Sequence, residues 1–134
     1  MAGSVSGNKW FVVVDGKEGK QYDGIVGSPI FSPDGKRVAY AAVIGDKQFV
    51  VVDGKEGKQY DGIVGSPIFS PDSKRVAYAA VIGDKQFVVL DGKEEKQYDV
   101  IITIRGGRIV FDSDERFHYL AVKDNKLYLV EKEL

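Results

Sequence analysis

The chain has 134 residues, of which 43% are hydrophobic, with 19 basic and 20 acidic side chains, a net charge of −1 and no cysteine. This length fits one domain, and the hydrophobic content predicts a packed core. The balanced, interspersed charge argues against a nucleic-acid partner, and the lack of cysteine excludes disulfides, thiolate zinc sites and cysteine nucleophiles.

The first ten residues, "MAGSVSGNKW", contain neither the positive region nor the apolar region of a secretory signal. Residues 1–8 resemble the remainder of an expression tag and are predicted to be disordered. Apolar runs such as "VAYAAVI" are too short to span a bilayer. We therefore expect a soluble protein with no membrane partner, while its cellular location stays unknown.

A repeat follows. Residues 9–46 match residues 47–84 at a period of 38 and differ only where Gln48 replaces Trp10 and Ser73 replaces Gly35. A third copy extends to Asp99, after which the sequence diverges and contains an insertion of four residues before Phe111. Self-similarity at such a period indicates a repeat architecture. Its near identity indicates a recent duplication or a repeat that was engineered or selected, and together with the tag-like start it favours an engineered form or a fragment of a natural propeller.

Each unit is predicted to contain four β-strands and no helix, and we name their positions A to D. In the first complete unit the strands are "SPIFS", "RVAYAAVI", "QFVVVD" and "KQYDGI". Positions B and C are continuous apolar runs, which indicate strands buried on both faces, whereas position D is polar. Small four-stranded antiparallel sheets stacked face to face satisfy this pattern, as in the blades of a β-propeller.

The turn between positions A and B is "SPDG" in one copy and "SPDS" in the next. Pro33 and Asp34 at its centre predict a type I turn, which needs no positive φ at its two middle residues. Because the repeat accepts both Gly35 and Ser73, we expect a negative φ at both positions.

The segments "PIFSPDGKRVAY" and "FVVVDG" resemble the WD-like propeller repeat of the TolB type, in which a Ser-Pro-Asp-Gly turn joins the first two strands of each blade. The resemblance covers nearly the whole chain from Trp10 and weakens after residue 99, where "FDSD" replaces "FSPD". It implies an all-β propeller architecture and hardly any function.

The repeat predicts about three blades per chain, whereas propellers have about four to eight. Bare ends lined with Val, Phe, Tyr and Ile would expose a large apolar patch, so we expect ring closure by homo-oligomerisation. A dimer of about six blades is preferred to a trimer of about nine. Position D of one copy would complete the last blade of the next, with the two terminal C strands competing for one place. The predicted divisions are a partial blade at 9–23, blades at 24–61 and 62–99, and a divergent closing blade at 100–134.

Chemistry is sparse in this sequence. The one histidine, His118, is predicted to be an ordinary strand residue, because no serine or acid recurs with it and one histidine does not make a metal site. We expect no enzyme activity, no cofactor and no metal. The candidate ligand-binding residues are the recurring pairs Tyr22 and Asp23, Tyr60 and Asp61, and Tyr98 and Asp99.

Two interpretations of these pairs stay open. Aromatic platforms beside carboxylates, repeated around a ring, could bind sugars or cations multivalently. Alternatively, the tyrosines pack at the blade edges and the aspartates cap the turns from D to A. We therefore predict a non-catalytic repeat scaffold that self-assembles into a closed propeller. The alternative is a multivalent binding module for a ligand or protein that uses the Tyr-Asp loops or the central funnel.

Overall fold

The computed structural model describes residues 2–5, 9–103 and 108–134. In these ranges all regular structure is β-strand, and none of it is a helix that could cross a bilayer. The strands are, in chain order, β1 (Ala2–Val5), β2 (Lys9–Val14), β3 (Lys17–Glu18), β4 (Gly24–Phe31), β5 (Val38–Ile44), β6 (Lys47–Val52), β7 (Lys55–Glu56), β8 (Gly62–Phe69), β9 (Val76–Ile82), β10 (Lys85–Leu90), β11 (Lys93–Glu94), β12 (Val100–Ile102), β13 (Val110–Ser113), β14 (Arg116–Lys123) and β15 (Lys126–Glu133).

The two complete repeats each form a four-stranded antiparallel sheet whose strands follow one another in sequence order, β4 to β7 and β8 to β11. Position D is shorter than predicted. It contains the two-residue strand β7 and an isolated bridge from Tyr60 to Gln48, while the Gly-Ile of the predicted segment begins β8. The chain passes between blades at this point, because the N–H of Asp61 already donates to Val81 of the next sheet at 2.9 Å.

The first sheet has the order β1-β2-β3. Residues 2–5, predicted to be disordered, instead form β1, which pairs with Lys9–Val12 in the register that position B has in the complete blades. The edge of β2 offers backbone hydrogen-bonding groups to any extended segment nearby, so β1 is formed by its neighbour more than by its own sequence. The remaining residues of the predicted disordered segment, 1 and 6–8, lie outside the described residues.

In the last sheet β14 pairs with β12 and β13 along one edge and with β15 along the other. The insertion thus divides position A into two short strands, and its residues 104–107 lie outside the described ranges. The register shows that Phe111 takes the place of Phe69, since Phe111 opposes Phe117 as Phe69 opposes Val76. Within the described part of the chain, no strand pairs with the outer edge of β15.

Three apolar clusters lie between successive sheets and form the core. Alternate residues of one strand enter different clusters: Ala39 and Ala41 pack against the sheet of β8 to β11, whereas Tyr40 and Ala42 pack against β2. This confirms that the continuous apolar runs at positions B and C are covered on both faces. Four-stranded sheets stacked in sequence order are the blades predicted above.

The expected φ angles of the turn between positions A and B are wrong. Gly35 has φ of 73° and Ser73 has φ of 65°, both in the left-handed region. The N–H of Gly35 donates to Ser32 C=O at 2.8 Å, closing a turn with Pro33 and Asp34 at its centre. A left-handed residue directly after such a turn realigns the chain with the next strand. The two central residues of the turn were therefore interpreted correctly. The positive φ is required at the residue that follows them, Gly35 or Ser73.

Candidate functional site

The tyrosines of the recurring pairs are buried between neighbouring blades and join them. The rings of Tyr22, Tyr60 and Tyr98 are buried. The Tyr22 hydroxyl donates to Glu56 Oε2 of the next blade at 2.9 Å, and Tyr60 donates to Glu94 at the same distance. Burial, reinforced by the bonded carboxylate, raises the pKa of Tyr22 and Tyr60 well above the usual range. The hydroxyls therefore stay protonated and donate at any physiological pH.

The aspartates of the pairs also join successive blades. Each carboxylate accepts a hydrogen bond from a lysine of its own blade and one from a backbone N–H in the B–C turn of the next blade. The lysine bond, followed by the backbone bond, lowers the pKa of each aspartate. Asp23 bonds Lys9 and Gly45, Asp61 bonds Lys47 and Gly83, and Asp99 bonds Lys85 and Asp124, the backbone distances being 2.7, 2.7 and 3.0 Å.

These contacts leave no exposed aromatic platform at the pairs. The ring of Tyr22 meets Phe49 edge-on at 5.4 Å and that of Tyr60 meets Phe87 at 5.5 Å, so neighbouring blades cover the rings. The carboxylates remain partly exposed but already have two donors each. The tyrosines pack at the blade edges, as in the structural interpretation. The aspartates cap the B–C turn of the following blade and not the turn from D to A.

A histidine and carboxylate pair was missed from the sequence. His118 Nδ1 lies 2.7 Å from Asp112 Oδ2, and both line an open cleft of about 560 Å³ with Arg116, Leu129 and Glu131. The pairing of β13 with β14 brings the two residues together across a tight hairpin. Their spacing of six residues around the "DSDE" turn was the available signal, but it has meaning only once this hairpin is assigned.

Among the described residues, the cleft holds an imidazole and a carboxylate but no nucleophile that is hydrogen-bonded to the imidazole. An imidazole oriented by a carboxylate can act as a general base, but it needs a group to deprotonate. Ser113 lines the same cleft, yet its Oγ accepts the N–H of Glu115 at 3.2 Å, and no hydroxyl bonds the imidazole in the ranges that the structure describes. In those ranges, no group of three or more metal-ligating side chains could hold an ion.

The two ends of the stack are open, and one of them differs from expectation. Phe31 at the first complete blade is 54% exposed, and Leu127 and Leu129 of β15 are 65% and 59% exposed. The bare ends were expected to be lined with Val, Phe, Tyr and Ile. Instead the outer face of the last sheet carries His118 and Glu131, the counterparts of Ala77 and Leu90 in the preceding blade. That face therefore mixes leucines with charged groups.

Similarity to known proteins is found at the level of structure. No family model matches the sequence, and no curated protein matches it. By structure, the chain is similar to TolB from Acinetobacter baumannii, with a TM-score of 0.53, 15% identity and 93% of this chain covered. It is also similar to KlHsv2 with loop 6CD replaced by a Gly-Ser linker, with a TM-score of 0.42, 14% identity and coverage of 94% of this chain and 52% of that one.

The described blades together with the likeness to TolB define an all-β chain of the β-propeller class. The arc is open, and the chain spans about a third of TolB, 34% of its length. At such low identity the likeness extends to the fold and to nothing finer.

Proposed function

We propose that the chain is a non-catalytic repeat scaffold that assembles with copies of itself into a closed propeller. The observation that carries the proposal is the incomplete cover of the first complete blade. Phe31, which has only the partial sheet β1-β2-β3 before it, is 54% exposed, whereas its repeat counterpart Phe69, which has a complete preceding blade, is partly buried in the core. Covering apolar surface stabilises an assembly by about 25 cal/mol per Å², so bare blade faces favour association.

Head-to-tail stacking of copies follows from the internal repeats. At the first two junctions inside the chain, a tyrosine of one blade donates a hydrogen bond to a glutamate of the next, and at all three junctions an aspartate bridges the two blades. Identical junctions between copies are heterologous contacts, which form a closed ring when the rotation per copy divides a full turn. With about three blades per copy, a dimer of about six blades is preferred to a trimer of about nine.

Support for a non-catalytic role comes from the incomplete chemistry around His118 and from the repetition itself. Catalysis assigns different roles to different residues, whereas near-identical blades present identical ones. Multivalent ligand binding through the Tyr-Asp pairs has less support, because the rings of Tyr22, Tyr60 and Tyr98 are covered.

The molar mass in solution tests the proposal. We expect light scattering at micromolar concentration to give a discrete oligomer, with a mass of two copies. Deleting residues 1–23 removes β2 and β3 and should weaken the assembly or broaden it to mixed sizes. Deletion of residues 1–8 is the matched control, since it retains both strands. A stable monomer of the full chain at micromolar concentration would refute self-assembly.

A further inference from the structure

The two complete blades contain an internal comparison, because residues 24–46 and 62–84 differ in sequence only at Gly35 and Ser73. A difference in exposure between matching residues of the two blades therefore reflects a difference in the blade that precedes each of them. Phe31 is exposed where Phe69 is half-buried, and Val38 is half-buried where Val76 is buried. The blade that contains Phe31 thus lacks part of the neighbour that covers the next blade.

The missing part is a B strand that begins with arginine. Over Phe69, the guanidinium of Arg37 lies 5.4 Å from the ring centroid and donates to the carbonyl oxygens of Ser73 and Lys74 at 2.8 and 3.1 Å. Arg37 directly precedes β5, the B strand of the preceding blade. Before Phe31, position B is occupied by β1, which pairs with only four residues of β2 and leaves a cleft of about 440 Å³ lined by Val14, Val38 and Tyr40.

One strand of the chain has the required features. Arg116 stands next to Phe117 at the start of β14 as Arg75 stands next to Val76 before β9, so it is the counterpart of Arg37. Phe117 and Tyr119 of β14 pack on the preceding blade, which places His118 and Leu120 on the opposite face. That face packs against no further sheet in the described part of the chain.

Either β15 or β2 of another copy can take position C beside β14, and one carboxylate favours β2. Glu131 of β15 opposes His118, and its counterparts in that register are Leu90 and Val52. If another blade covered β15, this carboxylate would lose its water, which is costly for a buried charge. In β2 the same place belongs to Val14, which already packs against the first complete blade. A blade that uses β2 instead of β15 therefore buries no carboxylate there.

We infer that neighbouring copies share a composite blade in which β14 of one copy pairs with β2 of the next, β1 and β15 being displaced. Positions A and B come from β12, β13 and β14 of one copy, and positions C and D come from β2 and β3 of the other. This inference rests on the proposed self-assembly and specifies its interface.

The composite blade completes both sets of interrupted contacts. Arg116 of one copy lies over Phe31 of the other, as Arg37 lies over Phe69. Glu18, the counterpart of Glu56 and Glu94, accepts the hydroxyl of Tyr98 from the other copy. Within the described part of the chain, no hydrogen bond joins Tyr98 to a glutamate, whereas Tyr22 and Tyr60 each have one.

Pairs of introduced cysteines test the inference, because the natural chain has none. The first variant carries Val14→Cys and His118→Cys, which oppose each other across the composite blade as Val52 opposes Ala39. The second carries His118→Cys and Glu131→Cys, which oppose each other within one copy while β15 stays on β14. Cross-strand Cα distances of about 4.5–5.5 Å lie inside the disulfide range. After oxidation, non-reducing gels and light scattering are run on both variants.

We expect the first pair to link copies covalently and the second to form no disulfide. An oligomer in which only the second pair closes, within one chain, would overturn the composite blade and leave self-assembly intact. A monomer in both variants and in the unmodified chain would overturn both proposals. Deletion of residues 1–8 provides a measurement without cysteines: the dissociation constant of the assembly should stay the same or fall, since β1 competes with β14. A dissociation constant raised tenfold by this deletion would also overturn the inference.

Discussion

The left-handed position after the Ser-Pro-Asp turn allows a quantitative test, because one copy has Gly35 there and the other has Ser73. A Cβ at Gly35 would meet no atom within 4 Å, so Gly35→Ser introduces no clash. It does place a side chain at φ of 73°, which costs about 1 kcal/mol. Within one copy no contact compensates at this position, so the cost should appear as lost stability of the single chain.

The reverse substitution is not the mirror image. Ser73→Gly relieves a similar cost of about 1 kcal/mol. It also removes the Ser73 hydroxyl, which accepts the N–H of Asp34 from the preceding blade at 3.2 Å. Such a bond contributes about 1 kcal/mol net, so the two effects offset each other and stability should change by less than about 0.5 kcal/mol. Ser73→Ala keeps the strained backbone and loses only the bond, and should destabilise by about 1 kcal/mol.

Urea unfolding of the three variants and the parent chain, at one protein concentration, measures these differences. For a chain of this length 1 kcal/mol corresponds to a melting shift of roughly 3 °C, so thermal unfolding provides a second measurement. A rise of several degrees for Ser73→Gly would show that the hydroxyl of Ser73 contributes nothing across the blade junction. Unchanged stability of Gly35→Ser would refute the left-handed assignment itself.

Three further predictions concern buried tyrosines between blades and the glutamate that one of them bonds. Tyr60→Phe removes the hydrogen bond to Glu94 and should lower the free energy of unfolding by about 1.5 kcal/mol in urea titrations. An unchanged free energy of unfolding would show that this bond does not stabilise the blade junction. Hydrogen bonds from Lys58 and Tyr60 lower the pKa of Glu94 below its ordinary 4.5. The ionised carboxylate therefore contributes its full stabilisation above pH 4.5 and loses it as the pH falls through the lowered pKa of the folded state. Glu94→Gln should reduce the loss of stability in this acid range. Burial raises the pKa of Tyr78 to about 12, so stability should fall as pH rises from 10 towards 12, and Tyr78→Phe should reduce that fall.

The strands at positions B and C could be predicted from the sequence because their signal is local. Runs such as Phe49 to Val51 are apolar at every position, and only a strand covered on both faces requires this. The turn residues between them are equally local. Position D could not be delimited, because the polar "KQYD" has no period and its path is set by bonds to two sheets, Tyr60 to one and Asp61 to the next.

The candidate site depended on contacts that no single unit contains. Whether Tyr60 faces solvent or a neighbour is decided by Phe87 and Glu94 of the following blade, which lie far along the chain. The pairing of Asp112 with His118 depends on the strand register after the four-residue insertion, where the repeat no longer guides the alignment. In both cases the residue types could be read from the sequence, but which residues contact one another depends on strand register and on how the sheets stack.

In the divergent last blade, the positions of the substitutions relative to the preceding blade are consistent with a composite junction. If the blade were adapted to remain an open end, polar residues would be expected along its whole outer face, at positions B and C alike. Instead Leu120 in β14 replaces a small apolar residue, Ala79, with a larger one, and Arg116 keeps the arginine of the other units. The carboxylate of Glu131 lies in β15, the strand that leaves the composite blade. At Leu120 apolar character is therefore retained where another copy is to be covered, and the carboxylate of Glu131 lies in the strand that returns to water.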